Sequence, residues 1–308
     1  MMSQAVTISI LMTIVGAATP LLLAALGELV AEKSGVLNLG VEGMMLIGAV
    51  TAFAVTKTTG LPLAGLVAAM AAATAAAMIF GYLTLTLASN QVATGLALTI
   101  FGIGLSSMIG EGFVGVTIAP LGPVFPAALA QNPLLRLVFG HSILDYVSIA
   151  ATIGVAWFLA RTRAGLVLRA VGENDQSAHS IGYSVIAVRY AAVAFGGAMA
   201  GLGGAYYSMV QTPMWAEELT AGRGWIALAL VVFAAWRPWR LLAGAYLFGA
   251  VMTFELQAKA AGLTAVPPEF LAALPYLATI LVLALISSRR SVGAAAPACL
   301  GHPFKPTA

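Results

Sequence analysis

Three short segments of this sequence carry polar side chains where chemistry would need them. The first is GELVAEKSGVLNLGVEGMMLIGA, residues 27–49, which sets Glu28, Glu32, Lys33, Asn38 and Glu42 in or beside two apolar stretches, with Gly35, Gly40 and Gly43 among them. An ionisable group inside a bilayer is costly, by roughly 3 kcal/mol or more, so it faces protein or water. Glycines at this spacing suit a broken or re-entrant helix, tolerated only where the backbone lines a cavity or is buried in protein. The segment therefore reads either as the border of a polar path, with Asn38 and Glu42 on it, or as a turn whose carboxylates pair with Lys33 or cap helices. Glu42 is the hardest to explain away, because Gly43 to Val55 after it is uncharged.

The second segment, RTRAGLVLRAVGENDQSAHSIGYSVIAVRY (161–190), is the longest polar stretch between apolar runs. Asn174 or Asp175 is a good N-cap, and Glu173 and Asp175 complement a helix N-terminus. A short helix over 175–181 would end at Gly182. It is either a docking knob for a soluble partner or an ordinary connector. In the third, SNQVATGL (89–96), Asn90, Gln91 and Thr94 stand at the start of an apolar run, to bind a solute or to cap a helix; capping is the preferred reading. Ser/His/Asp and Cys/His constellations are missing. His141, His179 and His302 are far apart and read as loop histidines, and the single Cys299 allows neither a disulfide within one chain nor a cysteine-based metal site. We expect no enzyme, no metal and no cofactor held by this chain.

The elements that would position these segments follow from composition. Of 308 residues, 61% are hydrophobic and 8% are charged, with a mean hydropathy of +0.99. A soluble domain carries about 25% charged residues, so the apolar surface here must face lipid. The expected fold is an all-α integral membrane bundle of about 9–10 helices. Runs near the ~20-residue length of a span lie at about 5–27, 36–56, 62–88, 92–110, 142–160, 189–211, 222–236, 240–258 and 271–288. Residues 111–141, rich in Gly and Pro, read as an external loop with a short interfacial helix. The first run lacks the basic flank of a secretory signal and reads as a retained span. Residues 1–290 form one transmembrane domain, with 161–190 as its main inward loop, and the tail 291–308 reads as disordered.

Lys and Arg near span ends favour the cytoplasm. Arg161, Arg163, Arg169 and Arg189, then Arg237 and Arg240, then Arg289 and Arg290 fall on one side, which puts the C-terminus inside. Counting back puts Lys33 inside and the N-terminus outside. The net charge of +3 makes no basic stripe, which excludes nucleic acid as a partner. An inverted repeat, common in transporters, is suggested by Leu96, Ala97, Leu98 and Phe101, which align with Leu228, Ala229, Leu230 and Phe233 in a span running the other way.

GELVAEKSGVLNLGVEGMML, LRAVGENDQSAHSIGYSV and RGWIALALVVFAAWRPWRLLAGAYLFGAV, in this order within roughly residues 15–288, resemble the branched-chain amino acid/ribose-type permeases of bacterial ABC importers. Within that group the likeness is greatest to nucleoside and simple-sugar permeases. The resemblance implies a multi-pass subunit of the bacterial inner membrane, paired with a second, related permease. It implies a cytoplasmic ATP-binding subunit, which alone would bind ATP, and an extracytoplasmic substrate-binding protein. By position, Gly172 to Gly182 would be the ATPase-coupling segment, comprising Gly172, Glu173, Asn174, Asp175, Ser177, Ala178, Ile181 and Gly182. Asn38, Glu42, Asn90, Gln91 and Thr94 would border the path. AAWRP (234–238) departs from the Gly-Asn-Trp-type turn of relatives. With so few fixed charges in the spans, a small neutral polar solute such as a nucleoside or sugar is expected, moved inward by alternating access. The alternative is an ion-coupled secondary transporter using Glu42 or Glu255 without an ATPase.

Overall fold

In the computed structural model, the described residues are 4–126, 132–260 and 296–305, with isolated helical positions between 270 and 284. They form a helical bundle: α1 (Gln4–Lys33), α2 (Val41–Thr59), α3 (Pro62–Gly81), α4 (Gln91–Gly110), α5 (Pro133–Phe139), α6 (Ile143–Arg161), α7 (Arg163–Glu173), α8 (Asp175–Ser180), α9 (Val185–Tyr206), α10 (Arg223–Phe233) and α11 (Pro238–Ala260). Seven helices among the described residues are long and apolar enough to cross a membrane. The protein is an all-α, multi-pass bundle, as composition required.

The expected spans fall on α1, α2, α3, α4, α6, α9 and α11, and one does not hold. The stretch 222–236 contains only the 11-residue α10. At 1.5 Å per residue that is about 16 Å, against about 30 Å of hydrocarbon. Hydropathy could not reveal this, because the residues after α10 are also apolar, while 212–222 before it is not helical. The run at 271–288 lies outside the described residues. The loop 111–126 makes isolated β-bridges to the chain after α9, Val114 with Trp215 and Thr117 with Met214. The expected short helix is α5, N-capped by Asn132, which accepts from the Leu134 amide.

Helix packing is set by small residues. A Cβ placed on Gly43 would lie 2.5 Å from the Leu98 carbonyl oxygen, and one on Gly102 would lie 2.4 Å from the Gly43 Cα, so α2 and α4 touch backbone to backbone. A Cβ on Gly204 would overlap the Met45 carbonyl oxygen, so α9 packs equally closely against another side of α2. In lipid, close packing rather than hydrophobic burial holds helices together, so these glycines fix the bundle. A buried polar link adds direction. Asp145 at the start of α6 accepts from Thr19 of α1 at 2.7 Å and from Tyr206 of α9 at 2.9 Å, with the Ser142 amide and hydroxyl each at 2.8 Å.

The two segments of the suggested repeat lie in helices of unequal length, 20 residues in α4 and 11 in α10. They do run in opposite senses. Gln91, at the start of α4, bonds Leu37 close to Lys33, whereas Trp236, just past α10, bonds Glu32.

Gly102→Ala should lower the melting temperature of the detergent-solubilised protein by an amount corresponding to about 1–3 kcal/mol of overpacking. Gly104→Ala, where the added methyl meets open space, should leave it unchanged.

Candidate functional site: paired crossovers and a capped helix

Two non-helical strands of chain enter the bundle from opposite ends and meet at its mid-depth. Residues 34–40 follow α1 and climb along the first half of α4. The Leu37 amide donates to Gln91 Oε1 at 2.8 Å, at the start of α4, and Thr99, at its middle, donates to the Leu39 carbonyl at 2.9 Å. The Asn38 amide donates to Glu28 Oε1 at 3.0 Å, and the Gly40 amide to Asn38 Oδ1 at 2.8 Å. Gly95 lets the strand lie against α4, since a Cβ there would sit 2.6 Å from the Leu39 nitrogen. Each side chain in this set supplies a partner to backbone that no helix satisfies, the condition for irregular chain at membrane depth.

Residues 212–222 descend from the other end, starting beside the last turn of α4, where Gly110 abuts Trp215. They deliver the N-terminus of α10 to Glu42. This carboxylate, 5% exposed, accepts from the Thr220 hydroxyl at 2.5 Å and the Gly222 amide at 2.8 Å on Oε1, and from the Gly224 amide at 2.6 Å on Oε2. Free N–H groups and the positive end of the helix dipole make a helix N-terminus an anion site. Here the anion is the protein's own, in the first turn of α2. The short α10 leads back to the Lys33 end, where Trp236 donates its indole N–H to Glu32 at 2.5 Å and Lys33 lies 5.9 Å from the indole centroid. Ala235 and Trp236 both have positive φ, 49° and 54°, a conformation that costs a non-glycine residue roughly 1–2 kcal/mol. The Trp236–Glu32 bond holds that turn, which is the place where the sequence departs from the glycine and asparagine expected there.

The capped helix forms as its residues dictate. Asn174 caps α8 by accepting from the Ser177 amide at 2.9 Å, and Gly182 adopts φ 94° two residues past it. The preceding residues form α7 rather than a plain connector, capped by Thr162. Asn174, Ser177, Ile181 and Gly182 are exposed, as are Glu173 and Tyr183; Ile181 is 72% and Tyr183 44% exposed. Two residues expected at the docking face point inward. Ala178 packs with Val171 and Val185 in a small apolar cluster, because the amphipathic α8 needs one face to seat it. Gly172 is pressed against the Lys33 carbonyl, 2.2 Å from where its Cβ would be. Asp175 is half-buried and ion-paired with the fully buried Arg189 at 3.2 Å. Arg189 also donates to the Ser34 carbonyl at 3.1 Å, which makes it a link between α8 and the first crossover. The sequence marked it only as one charge near a span end.

Of the path candidates, Asn38, Glu42 and Gln91 are brought together around the first crossover and its helix. Asn90 is the N-cap of α4, accepting from the Ala93 amide at 2.9 Å, and Thr94 bonds Ser89 at 2.9 Å. Gln91 is 2% exposed, and its Nε2 has no hydrogen-bond partner among the described residues. A cavity of about 370 Å³ opens near the other end of the bundle, walled by Thr13, Tyr207, Gln211, Arg223, Thr253 and Glu255 among others. Arg223 stacks 4.9 Å over the Tyr207 ring. No motif pointed to this group, since its members come from α1, the π-helical turn Tyr207–Gln211 that continues α9, α10 and α11. Glu255 is paired with Lys259 at 2.7 Å, and Glu42 is committed to α10, so the two carboxylates of the ion-coupled alternative both have protein partners.

The sequence matches the family described as "Branched-chain amino acid transport system / permease component" over residues 10–285. The chain belongs to this permease family. A Haloferax volcanii protein provisionally named as a glucose ABC transporter permease is 41% identical, over 93% of this chain and 94% of its own. The guanosine ABC transporter permease NupQ of Bacillus subtilis is 32% identical over 93% of each chain. A nucleoside ABC transporter permease of Lactococcus lactis is 30% identical, over 87% and 88%. The chain is thus a membrane-embedded permease subunit of the ABC type, not an enzyme, and the family likeness first seen in GELVAEKSGVLNLGVEGMML, LRAVGENDQSAHSIGYSV and RGWIALALVVFAAWRPWRLLAGAYLFGAV extends over nearly its whole length.

Glu42→Gln keeps the size of the side chain but removes the charge and one of the acceptors at the α10 N-terminus. It should destabilise the solubilised permease by about 1–3 kcal/mol, read as a lower melting temperature, and an unchanged melting temperature would mean that Glu42 does not hold α10.

Proposed function

We propose that this permease carries a small neutral polar solute, a nucleoside or a simple sugar, into the cytoplasm of a bacterial cell, driven by ATP hydrolysis in a separate subunit. The observation that carries this reading is that relatives spanning nearly its full length are named for glucose, guanosine and nucleosides. The bundle agrees with it physically. The carboxylates at the crossovers are occupied by backbone and indole donors, and in the cavity Glu255 is paired with Lys259 and Arg223 is stacked on Tyr207, which leaves amides, hydroxyls and aromatic rings as the unpaired groups to meet a solute. These suit an uncharged, hydrogen-bonding molecule better than an ion. The cavity beside Tyr207 and Arg223 is the outer reception site, and Gln91 Nε2, with Asn38, Asn90 and Thr94 nearby, supplies hydrogen-bonding capacity toward the inner end of the path.

The end of the bundle that carries Lys33, Arg169 and Glu173 around one recess is the cytoplasmic end, by the excess of basic residues in short inner loops. There α8 and the residues after it offer Ile181 and Tyr183, two apolar side chains projecting from a polar loop, as the seat for an ABC ATP-binding subunit. The permease pairs with a second, related permease and receives solute from an extracytoplasmic binding protein. ATP is bound by the partner, and this chain supplies a path and a switch between outward and inward access. The membrane is the bacterial inner membrane, with the C-terminus in the cytoplasm.

The docking face is tested by Ile181→Asp in the complete transporter. A buried interface anchor of this kind is worth more than about 1.4 kcal/mol, which is ten-fold in affinity. The ATP-binding subunit recovered with the permease should fall by at least that factor, while membrane insertion is unchanged. Equal recovery with wild type would remove α8 as the seat.

A further inference from the structure

The C-terminal tail is not the free end its composition suggests. Residues 296–305 lie in a defined path across the face where α7, α8 and the first crossover meet. The Ala298 amide donates to the Glu173 carboxylate at 3.3 Å, and the Cys299 amide to the Gly172 carbonyl at 2.9 Å, so the tail is fixed to the end of α7. The Gly301 amide donates to the Gly35 carbonyl at 3.1 Å, in the turn that opens the first crossover. Arg189 donates through its second terminal nitrogen to the His302 carbonyl at 3.2 Å, and Gln176 of α8 donates to the Lys305 carbonyl at 2.8 Å. The Phe304 ring meets His179 edge to face at 5.4 Å and packs against the apolar cluster of Val171, Ala178 and Val185 beneath α8. Composition missed this because nearly all the bonds are to backbone, which any sequence provides; Leu300, packed against the main apolar core, and Phe304 are side chains that anchor by their type.

We propose that residues 296–305 form a strap that ties the coupling helix α8 to the first crossover, so that displacement of α8 by the ATP-binding subunit moves residues 34–38 of the path. The strap touches both elements at once, and Arg189 is bonded to all three parties: Asp175 of α8, Ser34 of the crossover and His302 of the strap. A rigid chain of bonded groups with two arrangements can carry coupling between a docking surface and a distant gate. Residues 34–38 are suited to move, since they are held by hydrogen bonds and are not part of a helix. The strap rests on the reading of α8 as the ATPase seat.

The test uses the assembled transporter, with permease, ATP-binding subunit and binding protein reconstituted in liposomes. Deleting residues 296–308 should leave the ATP-binding subunit bound and hydrolysing, while solute moved per ATP falls roughly ten-fold or more, within the range of coupling between sites. Wild-type transport per ATP after the deletion would overturn the strap. If the deletion prevents accumulation in the membrane, Phe304→Ala is read in the same way. A second measurement needs no deletion. Cys299, the only cysteine in the sequence, is a built-in reporter on the strap, and its rate of maleimide labelling should change several-fold between the nucleotide-free and the vanadate-trapped complex. An unchanged rate overturns the proposal. Failure of the ATP-binding subunit to bind the full-length permease would instead reject the reading of α8, and the two failures are thereby told apart.

Discussion

The constraint on which the structure depends is that no water is available at membrane depth to satisfy irregular backbone. Two stretches of this chain, 34–40 and 212–222, are not helical, and both reach the middle of the bundle. They exist only because side chains take the place of helical hydrogen bonds. Gln91, Glu28 and Asn38 serve the first stretch, and Glu42 serves the end of the second. Glu42 is the centre of this arrangement, because it stands at the start of α2 and closes the start of α10. One carboxylate therefore joins two helices that begin at mid-depth, and the charge that would be prohibitive alone is neutralised by a helix N-terminus.

From that junction the rest follows in both directions. Toward one end, α10 descends to the Trp236 turn, and Glu32 and Lys33 bring the end of α1 to the same place. Lys33, Arg169 and Arg237, the capped helix α8 and residues 296–305 gather there. Toward the other, the chain after α9 leads past Trp215 to the cavity between Tyr207 and Arg223. A solute path through such a bundle has polar groups where the helices are broken and glycine contacts where they are not. Small movements at the breaks suffice to switch access, because the glycine-packed helices of α2, α4 and α9 behave as solid pieces.

Much of this was legible in residue types. The cap at Asn174 and the stop at Gly182 were readable because local hydrogen bonding and backbone freedom decide them, and the same holds for Asn90 at the start of α4. The run of spans was readable from composition. The broken pair was half readable: glycines and a stranded Glu42 announced the first crossover, but nothing in 222–236 announced that α10 is short, because an apolar half-helix with its apolar continuation looks like a whole one. What remained hidden depends on meetings between distant segments. Arg189 looked like a flanking charge and is a buried hub. Ala178 looked like part of a docking face and is the residue that seats it. The tail, rich in Ala, Gly and Pro, gave no sign of contacts that its backbone makes.

Transport by this permease is expected only when an ATP-binding subunit acts on it. The most direct measurement is uptake of labelled guanosine and glucose into liposomes holding the permease pair and its ATP-binding subunit, with the binding protein outside and ATP or a non-hydrolysable analogue inside. Accumulation of at least one of these solutes with ATP, and none with the analogue, is the predicted result. Accumulation that proceeds with the analogue and follows an imposed proton or sodium gradient would contradict it.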